Sequence, residues 1–218
     1  NQELFELFKS PLRFHRQIAI RLLRNRKLTR TDLRVLQDLL TSEEKQIALN
    51  ALWAFQVSGN LNLDIARQTL THTDADVRSW CIRLAADHLQ LDQDFQNRLI
   101  YQAKQESNVH VRSQLAATAR RVEPTLFVGI TRELLQHAED AQDLHIPLMI
   151  WWAIEANATD AASIQGIFSE PGIWTQTLTQ SFILERLSKR YAMSGTQQEL
   201  QILTWLFEQA PNEASRAQ

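Results

Sequence analysis

Glycine, proline and cysteine are all scarce in this chain, and their scarcity narrows the possible fold classes. Five glycines and five prolines among 218 residues are few for a turn-rich β protein, whereas abundant Leu, Ala, Gln and Arg favour helices. The single cysteine, Cys81, cannot form an intrachain disulfide, and no CxxC or CxxCH motif occurs. These absences exclude a cysteine-based zinc site and covalently attached c-type haem.

Long apolar runs and a strong net charge are missing as well. No stretch approaches the ~18 apolar residues that a membrane-spanning helix needs, and the formal charge is only -2. The charge is uneven, because residues 1–34 hold nine Lys/Arg against three Asp/Glu and the remainder holds fourteen against twenty-two. A basic segment of this kind can meet an acidic neighbour or a phosphate, but a solvated face is the simpler interpretation.

A repeated pattern of helix pairs runs along the chain. The anchor positions that open its apolar helices recur every 29 to 34 residues, at Arg16, Lys45, Arg78, Arg112, His145 and Thr179. A shorter amphipathic pattern precedes each anchor helix, with apolar residues at i, i+3, i+4 and i+7. Since stacked pairs bury a continuous core, the sequence predicts an all-α, right-handed α-solenoid (α-α superhelix) of about six pairs.

The motif D-x-x-V-R marks two of these units, as "DADVR" in residues 74–78 and, with Asn, as "NVHVR" in residues 108–112. It resembles the signature of HEAT repeats, whose Asp and Arg side chains bond across neighbouring repeats. That resemblance covers residues 1–218 as a single HEAT-like domain. It implies that the anchor bases hold the stack in register rather than bind a ligand. The candidate acceptors are Asp74, Asp76, Asn108 and Asp143.

Local signals predict several helix boundaries. The expected N-caps are Thr31 or Asp32, Asp74 or Asp76, and Ser107 or Asn108. Pro147 is expected in the first turn of its helix, where its missing N–H has no intrahelical partner anyway. The chain begins without Met inside an amphipathic pattern and ends on an unpaired first helix, so it is expected to be a segment of a larger protein.

Tryptophans supply the candidate binding residues. Trp53, Trp80, Trp151 and Trp152 all fall on predicted second helices, the helices that line the inner surface of HEAT solenoids. Most of them, Trp53 included, are expected in the core, but one or two exposed indoles on that surface would form a binding hot spot. The candidate contact site comprises Trp80, His145, Trp151, Trp152 and Glu155.

The adjacent pair Trp151 and Trp152 carries most of that prediction. Successive helical residues are separated by about 100°, so the two indoles cannot both face the core. The simpler alternative, that both fill gaps between helices, stays open, and a fully buried pair would exclude the contact site. No catalytic, cofactor-binding or metal-binding residue is predicted, because the sequence contains no recognisable nucleophile, phosphate-loop or metal-ligand motif.

A narrower resemblance rests on "ALNALWAFQVSG", "DADVRSWCIRLAAD", "NVHVRSQLAAT" and "HIPLMIWWAIE". These stretches are similar to the HEAT-repeat section of the large secreted PVC-type haem-binding, or membrane-bound dehydrogenase, proteins typical of Planctomycetes. The family's "LHALW" and "PLLLWWALE" correspond to Asn50–Trp53 and Pro147–Glu155, with Asn replacing His. In that family a sugar-dehydrogenase-like β-propeller precedes the repeats, and a cytochrome c domain follows them.

The resemblance implies a non-catalytic scaffold or interaction module between those two domains of an exported protein, periplasmic or extracellular. Its partners would be the adjacent domains or another protein. The alternative is a HEAT-like DNA glycosylase acting on alkylated bases. Such enzymes use Trp, Arg and Asp on a basic concave face, and Trp80 with Arg78 and Arg83 resembles that arrangement. Nucleic acid is not the expected partner, because phosphate contacts dominate DNA affinity and the chain lacks a continuous basic stripe.

Overall fold

The computed structural model describes residues 1–211, which form helices joined by short turns and contain no β-strand. The all-α prediction is therefore confirmed. The helices are α1 (Gln2–Glu6), α2 (Arg13–Leu23), α3 (Arg30–Leu40), α4 (Lys45–Val57), α5 (Leu63–Leu70), α6 (Ala75–His88), α7 (Gln93–Gln105), α8 (Val109–Ala119), α9 (Pro124–Leu135), α10 (Ile146–Ala156), α11 (Ala161–Phe168), α12 (Leu184–Ser194) and α13 (Gln197–Gln209). Among residues 1–211, no helix combines the length and apolar character needed to cross a bilayer.

Shorter helical turns link some of these helices. The 3₁₀ turns are Leu7–Lys9, Ala138–Gln142 and Pro171–Thr175. A π-helical turn, Thr179–Ile183, runs directly into α12. The sixth anchor position, Thr179, therefore lies in an irregular turn, where its side chain is fully buried.

Contacts between the helices divide the chain into two compact units, Asn1–Phe95 and the part from Gln96 onward. In the first unit α2 packs on α4 and α4 packs on α6, so these three second helices form one layer. The first helices α3 and α5 pack on α4 and α6 respectively, and a hydrogen bond from Gln37 to Gln68 joins them in a second layer. Fully buried side chains such as Leu36, Leu52 and Ile82 fill the space between the helices.

The second unit repeats the two-layer arrangement. Helix α8 packs on both α9 and α10, and α9 packs on α11, so α8 and α10 lie in one layer and α9 and α11 in the other. Helix α13 packs on α12 and α11. The Tyr191 side chain is fully buried, and its hydroxyl donates to the Ala158 carbonyl at 2.8 Å. Burial raises the pKa of Tyr191 above its ordinary value.

Helix starts follow the predicted signals in three of four places. Asp74 and Asn108 cap α6 and α8, each accepting from two backbone N–H groups of the first turn. Pro147 lies in the first turn of α10. The predicted cap of α3 is wrong, because Thr29 is the N-cap and Asp32 completes a capping box with it. The sequence "TRTD" offers two threonines, and the reciprocal bonds of a capping box require the one three residues before the acid.

Three anchor arginines make the same bond to the turn within their own helix pair. In each case Nη1 donates to the carbonyl six residues earlier: Arg16 to Ser10 at 2.7 Å, Arg78 to His72 at 2.9 Å and Arg112 to Glu106 at 2.9 Å. Arg16 makes a second bond to the turn, to the Pro11 carbonyl at 3.0 Å. The anchor arginine therefore closes the turn between the two helices, and the prediction of a bond across repeats is wrong for Arg16.

Two anchors do bond to the next helix pair. Lys45 Nζ lies 2.7 Å from Asp76 Oδ2 at the surface, as the spacing predicted. Arg112 forms a bidentate pair with Asp140, 2.7 Å from Nε to Oδ2 and 2.5 Å from Nη2 to Oδ1, and both side chains are buried. Asp140 was not among the predicted acceptors. Asn108 and Asp143 instead accept from backbone N–H groups at the starts of α8 and α10.

Other side-chain bonds join neighbouring pairs at similar separations in sequence. In the first unit, Gln37 donates to Gln68 at 3.0 Å, and His72 Nε2 lies 3.2 Å from the Ser42 carbonyl. In the second unit, His137 Nε2 lies 2.8 Å from the Ala103 carbonyl. These partners are 30 to 34 positions apart, so successive pairs contact each other in a repeating way.

Candidate interaction surface

An open cavity of about 580 Å³ lies between α2 and α4 in the first unit. One wall belongs to α2 and the other to α4. The lining residues are Arg13, Arg16, Gln17, Ile20, Arg21, Arg24, Gln46, Asn50, Trp53 and Val57. The α2 residues recur at helical spacing on one face, whereas Ala19 and Leu23 on the other face are fully buried.

The α2 wall is strongly basic. Eight Lys/Arg and no Asp or Glu lie between Glu6 and Asp32 in the sequence, and four of the arginines line the cavity. Arg21 and Arg24 are exposed, and within residues 1–211 no carboxylate forms an ion pair with either of them. The cavity therefore presents positive charge that the described part of the chain does not neutralise.

The α4 wall contributes no charged side chain to the cavity, and hydrogen bonds fix the position of Asn50 in this wall. Asn50 is only 1% exposed, and its Nδ2 donates to the Phe8 carbonyl at 3.1 Å. Its Oδ1 accepts from Gln46 Nε2 at 3.1 Å, which fixes the neighbouring lining residue. Because a buried amide must find hydrogen-bond partners, these two bonds fix the orientation of the Asn50 side chain in the α4 wall.

Trp53 connects the cavity with Trp80 on α6. The two indoles meet edge to face, with ring centroids 5.3 Å apart and an angle of 87° between the planes. Both pack on the buried cluster of Ala48, Leu49 and Val77 and remain only partly buried. Trp53 thus lines a cavity and is not enclosed in the core, contrary to its predicted position.

A guanidinium group completes this surface. Arg83 lies over the Trp80 ring, 5.3 Å from its centroid, which is a favourable cation–π distance. We define the Arg–Trp face as the side chains that the layer of α2, α4 and α6 contributes here: Arg13, Arg16, Arg21, Arg24, Trp53, Trp80 and Arg83. This face combines cationic and aromatic groups, which together suit an anionic ligand with an apolar part.

The remaining predicted site residues lie together on α10 in the second unit, apart in sequence from Trp80. Trp152 is 47% exposed and Trp151 is partly buried, so the two indoles differ as their spacing predicted. His145, the N-cap of α10, and Glu155 are exposed. We call these four residues the α10 cluster. The fully buried pair that would have excluded a contact site is not observed.

Asp143 places a negative charge at the start of α10. Its Oδ1 accepts from the Ile146 N–H at 2.9 Å and the His145 N–H at 2.8 Å. These backbone bonds lower the pKa of Asp143, and the nearby His145 and His110 side chains act in the same direction. A carboxylate therefore stays ionised beside the α10 cluster at neutral pH.

Neither a reactive thiol nor a metal-binding group of side chains occurs within residues 1–211. Cys81 is buried, its Sγ donates to the Ala66 carbonyl at 3.3 Å, and burial raises the pKa of the thiol. It is therefore placed as a small core side chain and not as a nucleophile. Among residues 1–211, no group of three or more His, Cys, Asp or Glu side chains is arranged to hold a metal ion.

No protein-family model matches the chain, and no curated protein or solved structure is significantly similar to it. Function is therefore inferred from the Arg–Trp face and the α10 cluster. Sequence reasoning found the α10 cluster and Trp80 but missed the cavity. The available signal was the acid-free basic stretch between Glu6 and Asp32, in which Arg13, Arg16, Arg21 and Arg24 recur at helical spacing.

Proposed function

We propose that this chain is a non-catalytic, HEAT-like interaction module, a right-handed α-solenoid of about six helix pairs. Two recurring features support the repeat. The anchor arginines Arg16, Arg78 and Arg112 each close a turn through the carbonyl six residues earlier. Side-chain bonds between neighbouring pairs recur at about one repeat length. Within each unit, neighbouring pairs thus contact each other in a similar way, as in solenoid proteins.

In this proposal the module joins a propeller-type dehydrogenase domain to a cytochrome c domain in an exported bacterial protein of the PVC type. The supporting stretches, Asn50–Trp53 and Pro147–Glu155, lie on α4 and α10. Both are second helices of their pairs. The motifs that resemble the family therefore occupy equivalent layers of the two units, which is where a scaffold presents side chains to its partners.

The observation that carries the proposal is the exposure of Trp152. An indole that is 47% exposed on a helix of this layer leaves apolar area in contact with water, and a partner would gain free energy by burying it. Tryptophan is among the residues enriched in interface hot spots. Exposed His145 and Glu155 supply polar groups on the same helix, so the α10 cluster has the composition of a small protein-binding surface.

Binding of the whole chain to the separately purified domains encoded on either side of it tests this function. Trp152→Ala should weaken binding by about tenfold or more, as expected for a hot spot. Tyr101→Ala is the matched control, because Tyr101 is 65% exposed on α7, a first helix of its pair. Absence of binding to either domain, or equal losses in the two variants, would contradict the proposal.

One observation favours a second candidate function, a HEAT-like DNA glycosylase acting on alkylated bases. The Arg–Trp face brings arginines and two indoles together, as such an enzyme requires. Two features oppose it: no Asp or Glu lines the cavity, and the facing α4 wall is neutral. Release of alkylated base from duplex DNA, together with salt-sensitive binding at ~50 mM salt, would support the enzyme and contradict the scaffold.

A further inference from the structure

We propose that the cavity between α2 and α4 binds an acidic protein segment, with its carboxylates on the α2 arginines and an apolar side chain against Trp53. This inference rests on the proposed function, since it names the chemistry of a partner for an interaction module. It concerns the first unit, whereas the exposed indole that carries the proposed function belongs to the second.

The cationic wall is suited to carboxylates. Guanidinium groups bind carboxylates through two parallel hydrogen bonds, and such charge-assisted bonds are about twice as strong as neutral ones. Arg21 and Arg24 lie one turn apart on the exposed face of α2 and have no ion-pair partner within residues 1–211. Arg16 is held by the Ser10 and Pro11 carbonyls, which fixes one cation at the edge of the cavity before any ligand arrives.

The cavity also has an apolar part, so a ligand that fills it needs an apolar group as well as negative charge. Ile20, Trp53 and Val57 give it an apolar lining beside the arginines. The Trp53 indole packs edge to face against Trp80, with the ring centroids 5.3 Å apart. Trp53 therefore loses little side-chain freedom when a ligand binds. A free inorganic anion would leave this surface uncovered, whereas a peptide with acidic and apolar side chains would use both walls.

The distribution of charge favours a protein segment over a nucleic acid. Nucleic-acid affinity depends on a series of phosphate contacts along a strand. Here the α4 wall supplies no cation to the cavity, and Lys45, the one basic residue of α4, is paired with Asp76. Residues 35–218 carry fourteen Lys/Arg against twenty-two Asp/Glu, so basic residues are concentrated near α2. A volume of about 580 Å³ suits a short segment.

Fluorescence anisotropy with a labelled peptide of alternating glutamate and leucine tests the proposal on the whole chain. We expect saturable binding at ~50 mM salt that weakens as salt rises. Arg21→Ala combined with Arg24→Ala should weaken binding by about tenfold or more, because two charge-assisted contacts are lost. A peptide of alternating glutamine and leucine should bind much more weakly than the glutamate peptide.

The matched control is Arg30→Ala combined with Arg34→Ala. It removes the same charge from exposed positions on α3, outside the cavity, and should change the affinity by less than about twofold. Circular dichroism establishes that both double variants are folded. Equal losses in the two double variants would show only general charge attraction and overturn the proposal, as would no peptide binding.

Two further probes complete the test. If duplex DNA or inorganic phosphate binds more tightly than the peptide and depends in the same way on Arg21 and Arg24, the acidic-segment proposal is wrong. Tyr101→Ala, which lies outside the cavity, should leave peptide affinity unchanged. If the peptide does not bind although the neighbouring domains still do, this inference is refuted and the proposed function stands.

Discussion

At the scale of single residues, Arg112 and Asp140 form a buried ion pair. Asp140 raises the pKa of Arg112 through the bidentate bond, and a third bond ties Arg112 to the Glu106 carbonyl. Arg112→Ala should lower the free energy of unfolding by about 3–5 kcal/mol, because it leaves the Asp140 carboxylate buried without its partner. Urea denaturation followed by circular dichroism measures the change.

Lys45→Ala is the control variant for Arg112→Ala. Lys45 makes the equivalent bond between helix pairs, but both it and Asp76 are about half exposed. Exposed pairs contribute little because water solvates the separated charges well. The Arg112 variant should therefore lose much more stability than the Lys45 variant. Similar losses would mean that the Arg112–Asp140 pair is not buried in solution.

Cys81 provides a second test at this scale. The thiol is 1% exposed and its pKa is raised by burial, so little thiolate exists at neutral pH. The folded chain should react with Ellman's reagent far more slowly than the chain in denaturant. Rapid stoichiometric reaction under native conditions would show that α6 opens readily or that Cys81 is not in the core.

Among the helices, the contact between α7 and α9 depends on Gly129. A Cβ at this position would lie 2.8 Å from Ile100 Cγ1 and would also collide with Ile100 Cδ1. Glycine inside a helix costs about 1 kcal/mol relative to alanine, yet overpacking costs about 1–3 kcal/mol. Gly129→Ala should therefore decrease the melting temperature despite its better helix propensity.

Two control variants separate these effects. Gly172→Ala should change stability little, because a Cβ there meets no atom within 4 Å. In an Ile100→Ala background the collision is gone, so Gly129→Ala should then raise the melting temperature through propensity alone. A Gly129→Ala variant that is more stable than the parent in both backgrounds would show that α7 and α9 are not in close contact.

Helices and their caps were largely predictable, because their signals are local. Asp74 and Asn108 precede apolar helices, and Pro147 suits only a first turn. Side-chain partners were less predictable. A long guanidinium group can reach several acceptors, and Asp140 lies in a 3₁₀ turn that no sequence pattern marked. The turn-closing bond of Arg16 could not be distinguished from a cross-repeat bond by spacing alone.

For the whole molecule, acidic pH should be destabilising. Six carboxyl groups of residues 1–211 have a pKa below the ordinary value, and four of them are Asp32, Asp92, Asp143 and Glu199. The first cause for the three aspartates is a hydrogen bond from a backbone N–H, and for Glu199 it is the Ser194 hydroxyl. A depressed folded-state pKa gives stability that is present above the unfolded-state value and is lost as pH falls through the folded-state value.

The melting temperature should accordingly be steady near neutrality and fall below pH 4.5, the higher of the ordinary values for these groups. Asp143→Asn tests the cause, since asparagine caps a helix as well as aspartate does but does not titrate. The asparagine side-chain oxygen can accept the same bonds from the His145 and Ile146 N–H groups, so this variant should match the parent at neutral pH and lose less stability in acid. An identical acid dependence in the two proteins would exclude a contribution from Asp143.

The candidate site was predictable only in part, because exposure depends on packing between helices. The different environments of Trp151 and Trp152 followed from the helical angle between neighbours. The cavity did not follow, since it exists only because α2 and α4 leave a gap and Trp53 borders it. Periodicity identifies the face of a helix but not the distance to the next one.

Side-chain bonds that join residues about 30 positions apart also bear on how the chain reaches its folded state. Contacts so near in sequence require only short loops to close, so little chain entropy is lost before each contact forms. Low contact order of this kind accompanies fast folding. We therefore expect folding to nucleate in neighbouring helix pairs within a unit and to grow there by adding adjacent helices.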